Sequence, residues 1–210
     1  MTARGAFVVI IGPDGVGKTT LARNLVALWP SSTRYIHFRP SILVKPGATP
    51  VDDGTPPPSK RNHSGPKPIG WLRLGWSLLA FNLGYWRWLR PALREGALVV
   101  GDRWIYGYVG QPVALGFGGP EWMARAAANL VPRPHLLVRL HADRDLIAAR
   151  KGDLSPEEIA AEDDRWNRLP GPVLMLDASR PAVQLAEELL TVLRRRPIPV
   201  RRPLGRRRWP

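Results

Sequence analysis

The 210-residue sequence contains no cysteine. That excludes disulfide staples and thiolate-bound zinc, and it fits a reducing compartment, so the cytoplasm is the expected location. Long hydrophobic runs are missing as well. The apolar stretch nearest the start, FVVII at 7–11, is shorter than the roughly 7–15 residues of a secretory leader. The most apolar segment, 71–93, is interrupted by arginines and has too short an apolar span to cross a bilayer. Acidic residues are scarce. Asp and Glu number 17 against 31 Lys and Arg, a formal net charge of +14. A charge of that size fits nucleic acid, anionic lipid or anionic small substrates as partners.

The distribution of that charge weakens the first option. Eight arginines lie in RRRPIPVRRPLGRRRWP, 194–210. This tail has too much proline for a helix and too little apolar surface for a core, so it reads as disordered. It has the capacity for nonspecific anionic binding, with no dedicated partner expected. The rest of the chain is 1–193, a length that suits one domain with a sizeable core. Its apolar fraction, 44% over the whole sequence, is that of a folded protein.

The order of elements points to an α/β fold. AFVVII (6–11) is short, β-branched and continuously apolar, as in a strand buried on both faces. KTTLARNLVALW (18–29) follows with Leu21, Leu25 and Leu28 at helical spacing. RYIHF (34–38), ALVVGDR (97–103), HLLVRLHA (135–142) and PVLMLDAS (172–179) are further strands. Between them lie helical stretches at 71–93, 120–131, 143–169 and 180–196. Strands alternating with helices imply a parallel sheet flanked by helices, the three-layer arrangement of P-loop NTP hydrolases. Residues 40–70 carry eight prolines and four glycines and read as a long inserted loop. The 71–93 helix has only a narrow polar stripe, with Arg73, Ser77 and Arg87, which fits burial or a homodimer contact through 71–90.

Three sites carry chemistry. GPDGVGKTT (12–20) meets the G-x-x-x-x-G-K-[ST] pattern between a strand and a helix. Glycines let backbone N–H groups face phosphate oxygens, and the helix N-terminus adds positive potential. Gly12, Pro13, Asp14, Gly15, Val16, Gly17, Lys18, Thr19 and Thr20 are therefore expected to bind ATP. Lys18 should reach the β- and γ-phosphates, and the Thr19 hydroxyl should ligate Mg2+. No N-K-x-D motif for guanine is present, and no run of four apolar residues ends in Asp-Glu as in motor ATPases.

The second site is Asp102–Arg103 at the end of a strand, where ligands bind in parallel α/β sheets. Asp102 can hold Mg2+ or orient the attacking group, and Arg103 can clamp an anionic acceptor. The third is DRDLIAARKGDLSPEE, in which Arg144, Arg150 and Lys151 flank a Gly-Asp break. An arginine-bearing lid at 144–156 would stabilise the charge of a moving phosphoryl group.

Together these residues resemble the thymidylate kinase family of P-loop nucleoside monophosphate kinases, from about residue 5 to 193. GPDGVGKTT is similar to the family's G-x-[DE]-G-x-G-K-[ST]-T, and the family's acid beside the acceptor sugar falls on Asp14. Gly15 stands where some members carry an arginine, which by the resemblance assigns that duty to lid Arg150, with Arg144 second. FRP (38–40) resembles the Arg-Glu-Pro turn and makes Arg39 a substrate contact. GDRW resembles the Asp-Arg-[Tyr/His/Phe] motif, carrying over Asp102 and Arg103 as catalytic with Lys18. YGYVGQP echoes Ala-Tyr-Gln-Gly and adds Tyr108 and Gln111 on the substrate side. LMLDASRPAVQLAEEL resembles the closing strand and helix, whose loop lies near adenine.

The resemblance implies a Mg-ATP-dependent kinase whose default acceptor is a nucleoside monophosphate such as dTMP. Three departures touch the acceptor side. Ser77 and Phe81 fall where a stacking phenylalanine and an arginine read thymine, Trp104 is third in the Asp-Arg motif, and the 40–70 insertion lies beside them. They leave open a non-nucleotide acceptor, such as a sugar or glycan precursor. An ATP-binding accessory protein on nucleic acid or membrane is the rival from another class.

Overall fold

The computed structural model describes residues 5–37, 47, 67–143, 156–169 and 172–195. Five strands form one all-parallel sheet in the order β2-β3-β1-β4-β5. They are β1 (Ala6–Ile11), β2 (Thr33–His37), β3 (Leu98–Asp102), β4 (Leu136–His141) and β5 (Leu174–Asp177). The helices are α1 (Lys18–Leu28), α2 (Lys67–Gly84), α3 (Arg90–Arg94), α4 (Gly107–Gly110), α5 (Glu121–Asn129), α6 (Pro156–Asn167) and α7 (Ala182–Arg195). This is the expected α/β architecture. No helix among the described residues is long and apolar enough to cross a membrane.

β1 explains why both faces are covered. All six of its residues are buried, and side chains of a strand alternate between faces. Phe7, Val9 and Ile11 join one core with Leu74 and Phe81 of α2, Trp104, Ala124 and Trp166 of α6. Ala6, Val8 and Ile10 join a second core with Leu21 and Leu25 of α1 and Leu185 and Leu189 of α7. A continuous apolar run is what a strand between two helical layers requires. β1 sits between β3 and β4, so the chain winds away from it in both directions. The crevice at its C-terminal end is where such sheets bind ligands.

Several boundaries differ from expectation. α2 begins at Lys67 rather than 71, because Pro68 sits in the first turn, where its missing N–H is not needed. α2 runs into α3 through a π-helical turn, Tyr85–Leu89, in which the Arg90 N–H bonds the Tyr85 carbonyl. Pro91 is the cause: its ring crowds the carbonyl one turn back, so the ladder widens there. α7 reaches Arg195, in keeping with the helix expected at 180–196, so Arg194 and Arg195 of the tail stretch lie in its last turn. Cations there meet the negative end of the helix dipole. The rest of the tail lies outside the described residues, as do most of the 40–70 insertion and all of the 144–156 lid except Pro156.

Candidate active site

The loop between β1 and α1 folds as its glycines require. Gly12 and Gly17 have φ of 142° and 102°, values that L side chains rarely adopt. A Cβ on Gly12 would also lie 2.5 Å from the Leu140 carbonyl oxygen of β4. Val16 anchors the loop by packing into the second core. Gly17 caps α1 with no side-chain hydrogen bond, so the first-turn N–H groups of the helix face outward for an anion. Thr19 and Thr20 are exposed beside them.

Lys18 is buried and curls back over the loop. Its Nζ donates to the carbonyls of Gly12 (3.0 Å) and Pro13 (2.8 Å) and lies 3.4 Å from Asp14 Oδ1. Burial lowers its pKa, and the Arg103 charge adds to that. An anion at the loop would relieve both effects.

Asp102 ends β3 and Arg103 follows it, as the sequence suggests. The Arg103 guanidinium forms an ion pair with Asp14. Its backbone N–H donates to the Ile10 carbonyl at 2.9 Å, which ties the turn to β1. Arg103 (φ 63°) and Trp104 (φ 50°) are both left-handed, an arrangement costing on the order of 1–3 kcal/mol per residue. Burial of Trp104 against Phe81 (ring centroids 4.4 Å apart) and Phe7 (5.2 Å) offsets that cost. The strained turn aims the guanidinium at the loop. Burial opposes the Arg103 charge, but Asp14 and Asp102 outweigh it and raise its pKa.

Asp102 is buried at 4% exposure. Its Oδ2 lies 3.3 Å from His37 Nδ1 and 3.4 Å from the Tyr35 hydroxyl. Its Oδ1 has no hydrogen-bond partner among the described residues. Burial disfavours its charge, yet the His37 hydrogen bond and the charges of Lys18 and Arg103 hold its carboxyl below the usual range. A buried, ionised oxygen without a donor fits a divalent cation. Among the described residues no group of three or more His, Cys, Asp or Glu forms a metal cage. The donor set therefore fits an ion held by one or two protein oxygens with phosphate and water, as Mg2+ is.

Sequence reasoning missed Glu162. It lies buried on α6, where its charge couples to Asp14, Lys18 and Arg103 and its carboxyl hydrogen-bonds Gln111. Burial raises its pKa, with Gln111 opposing. Glu162, Trp166 and Leu169 recur at four and three residues, and all three are buried. That spacing was the available signal for an acid on an inward face. α6 is fixed by Arg139 of β4, which bonds Asp163 and Asn167, and by Arg165, whose Nε donates to the Gly110 carbonyl at 2.9 Å.

The loop, Asp102 and Arg103 thus lie together. Tyr108 does not join them. It is buried in the first core, and its hydroxyl pairs with Ser77 at 2.8 Å and donates to the Arg73 carbonyl. The side chain that the resemblance gives to the substrate thus lies packed in the core, away from the loop. Gln111 instead reaches the site through Glu162. Arg39, Arg144 and Arg150 lie outside the described residues. On the opposite side of the loop is a cavity of about 520 Å³, bounded by Gly15, Val16, Leu140, Arg180, Pro181 and Leu185. It is the place that the resemblance gives to adenine.

Neither a family model nor a curated protein sequence matches the chain. Among solved structures it is similar to a thymidylate kinase from Candida albicans, described as revealing the origin of broad substrate specificity and a novel structural element. The likeness covers 92% of this chain and 93% of that one, at 18% identity and a TM-score of 0.57. At that identity it shows the fold.

Proposed function

We propose that this chain is a Mg-ATP-dependent kinase that transfers the γ-phosphoryl group to a small acceptor. One observation carries the reading: Lys18, Asp14, Asp102 and Arg103 converge at the loop that ends β1, with a nucleotide-sized cavity on one side. The cavity is lined from β4 and the β5–α7 connection, which supports assigning the acceptor to the β2–β3 side. The two substrates thus approach from opposite sides of the loop, as in-line displacement needs.

The loop N–H groups and Lys18 hold the β- and γ-phosphates, Lys18 exchanging two carbonyl contacts for phosphate oxygens. Thr19 and Asp102 hold Mg2+. The cation spreads the charge that builds up on the phosphate oxygens. Arg103, positioned by Asp14, faces the acceptor side, and Arg39, Arg144 and Arg150 are assigned to acceptor and lid by resemblance alone. Binding, orientation and charge stabilisation are most of what phosphoryl transfer asks of a protein.

The default acceptor is a nucleoside monophosphate such as dTMP. A second reading, a non-nucleotide acceptor such as a sugar, is favoured by Ser77 and Phe81. Both are wholly buried, Ser77 against Tyr108 and Phe81 against Trp104, so neither presents an edge to a base. The functional unit is 1–193, and it pairs with a second copy through α2. Ile69, Leu72, Trp76, Leu79, Leu83 and Trp86 alternate at three and four residues, and all are exposed. Such a seam is what two helices pack.

The test is ADP release from Mg-ATP with a panel of nucleoside monophosphates and sugars. Lys18→Ala should abolish turnover with the melting temperature preserved. Full activity in that variant refutes the proposal. Stimulation by sugars and by no nucleotide selects the second reading.

A further inference from the structure

Tyr35 and His37 sit two residues apart on β2, so their side chains share one face of the strand. The register pairs His37 with Asp102 and Tyr35 with Val100, two residues before it. Both side chains reach the same atom of Asp102, Oδ2, at 3.4 Å from Tyr35 and 3.3 Å from His37. Tyr35 also interacts with the Thr19 hydroxyl. Its one hydroxyl thereby links the two residues assigned to the cation. A strand pairing alone does not require this. Half-buried Tyr35 could direct its hydroxyl elsewhere, and His37, 58% exposed, could point to water.

We propose that Tyr35 and His37 are positioning residues that grip Asp102 Oδ2 and Thr19 so that Asp102 Oδ1 is left bare for the divalent cation that accompanies ATP. The inference rests on the kinase reading and adds to it the partners that orient the carboxylate. A carboxylate free to rotate would swing towards Lys18 and Arg103, whose charges it already feels. Two donors on Oδ2 fix the plane of the group and prevent that. Partners of this kind are worth about 10–100-fold in metal affinity at other metal sites.

The experiment uses the full chain and separates cation binding from nucleotide binding. ATP affinity is measured by calorimetry in EDTA and again in Mg2+, and Mn2+ affinity in the presence of ATP by electron paramagnetic resonance. Tyr35→Phe removes only the hydroxyl. His37→Ala removes the second donor, and His37→Asn restores an N–H donor near the Nδ1 position. Tyr35→Phe and His37→Ala should each weaken Mn2+ binding by about tenfold or more. His37→Asn should bind Mn2+ like the wild type, and ATP affinity in EDTA should be unchanged in all three. Unchanged Mn2+ affinity in both deletion variants overturns the proposal, as does an equal loss of ATP affinity in EDTA. A wild type whose ATP affinity ignores Mg2+ overturns the clamp but leaves the loop reading intact. A wild type that binds no ATP overturns the kinase reading, and the clamp with it.

Discussion

Gly110→Ala tests how the far helix supports the site. Gly110 ends α4, and its Cα faces the indole of Trp166 on α6. An added Cβ would fall far inside van der Waals contact with three carbons of the benzene half of that ring. Trp166 is 1% exposed and rigid, so it has no open direction in which to move. α6 must shift, and with it Glu162 one turn earlier. Overpacking of this kind costs about 1–3 kcal/mol. For a chain of this length that is roughly 2–12 °C in melting temperature. Scanning calorimetry and near-ultraviolet dichroism measure the loss and the change in tryptophan packing. Trp166→Phe removes the offending half-ring, so the double variant should lose less stability than the two single losses added together. A Gly110→Ala protein that melts within about 1 °C of wild type would refute the packing described here.

Glu162→Gln should stabilise the protein at neutral pH. Burial holds the Glu162 carboxyl above its usual 4.5, so the native state binds that proton more tightly than the unfolded chain does. The cost of ionising it is absent below about 4.5, grows as pH rises towards the folded value and is complete above it. The melting temperature of the variant relative to wild type should therefore rise between pH 4 and 8; a difference that is flat or falls over that range refutes it. Leu79→Glu with Leu83→Glu should halve the mass seen in sedimentation, since both side chains lie on the exposed seam of α2. The monomer fold should change by no more than about 0.5 kcal/mol. A wild type that sediments as a monomer ends the pairing proposal.

What could be read in the sequence follows from what fixes each part. The strands were legible because a sheet covered on both faces needs unbroken apolar runs, and AFVVII and ALVV supply them. The loop at 12–20 was legible because its shape is a backbone property: glycines at φ values other residues avoid, then a helix start. The position of Asp102 and Arg103 was legible because they close an apolar run that reads as a buried strand. The burial of Tyr108 was not legible, because one tyrosine looks the same whether its hydroxyl meets a ligand or Ser77. Glu162 was hidden among the five acids of PEEIAAEDD, where only the register against Trp166 marks the inward one.

The same contrast explains why donor and acceptor halves differ in clarity. A phosphate chain is the same in every ATP, so the groups that hold it can be backbone N–H groups and one lysine, and their spacing carries over between proteins. An acceptor is read by side-chain shape. Here the positions that the resemblance gives to that side, Ser77, Phe81 and Trp104, are buried in the core, Ser77 against Tyr108 and Phe81 against Trp104. Phe81 and Trp104 contribute to folding what a base-reading pair would contribute to binding: Phe81→Ala should cost about 3–5 kcal/mol of stability. A side chain committed to the core at that level is not available to select a substrate.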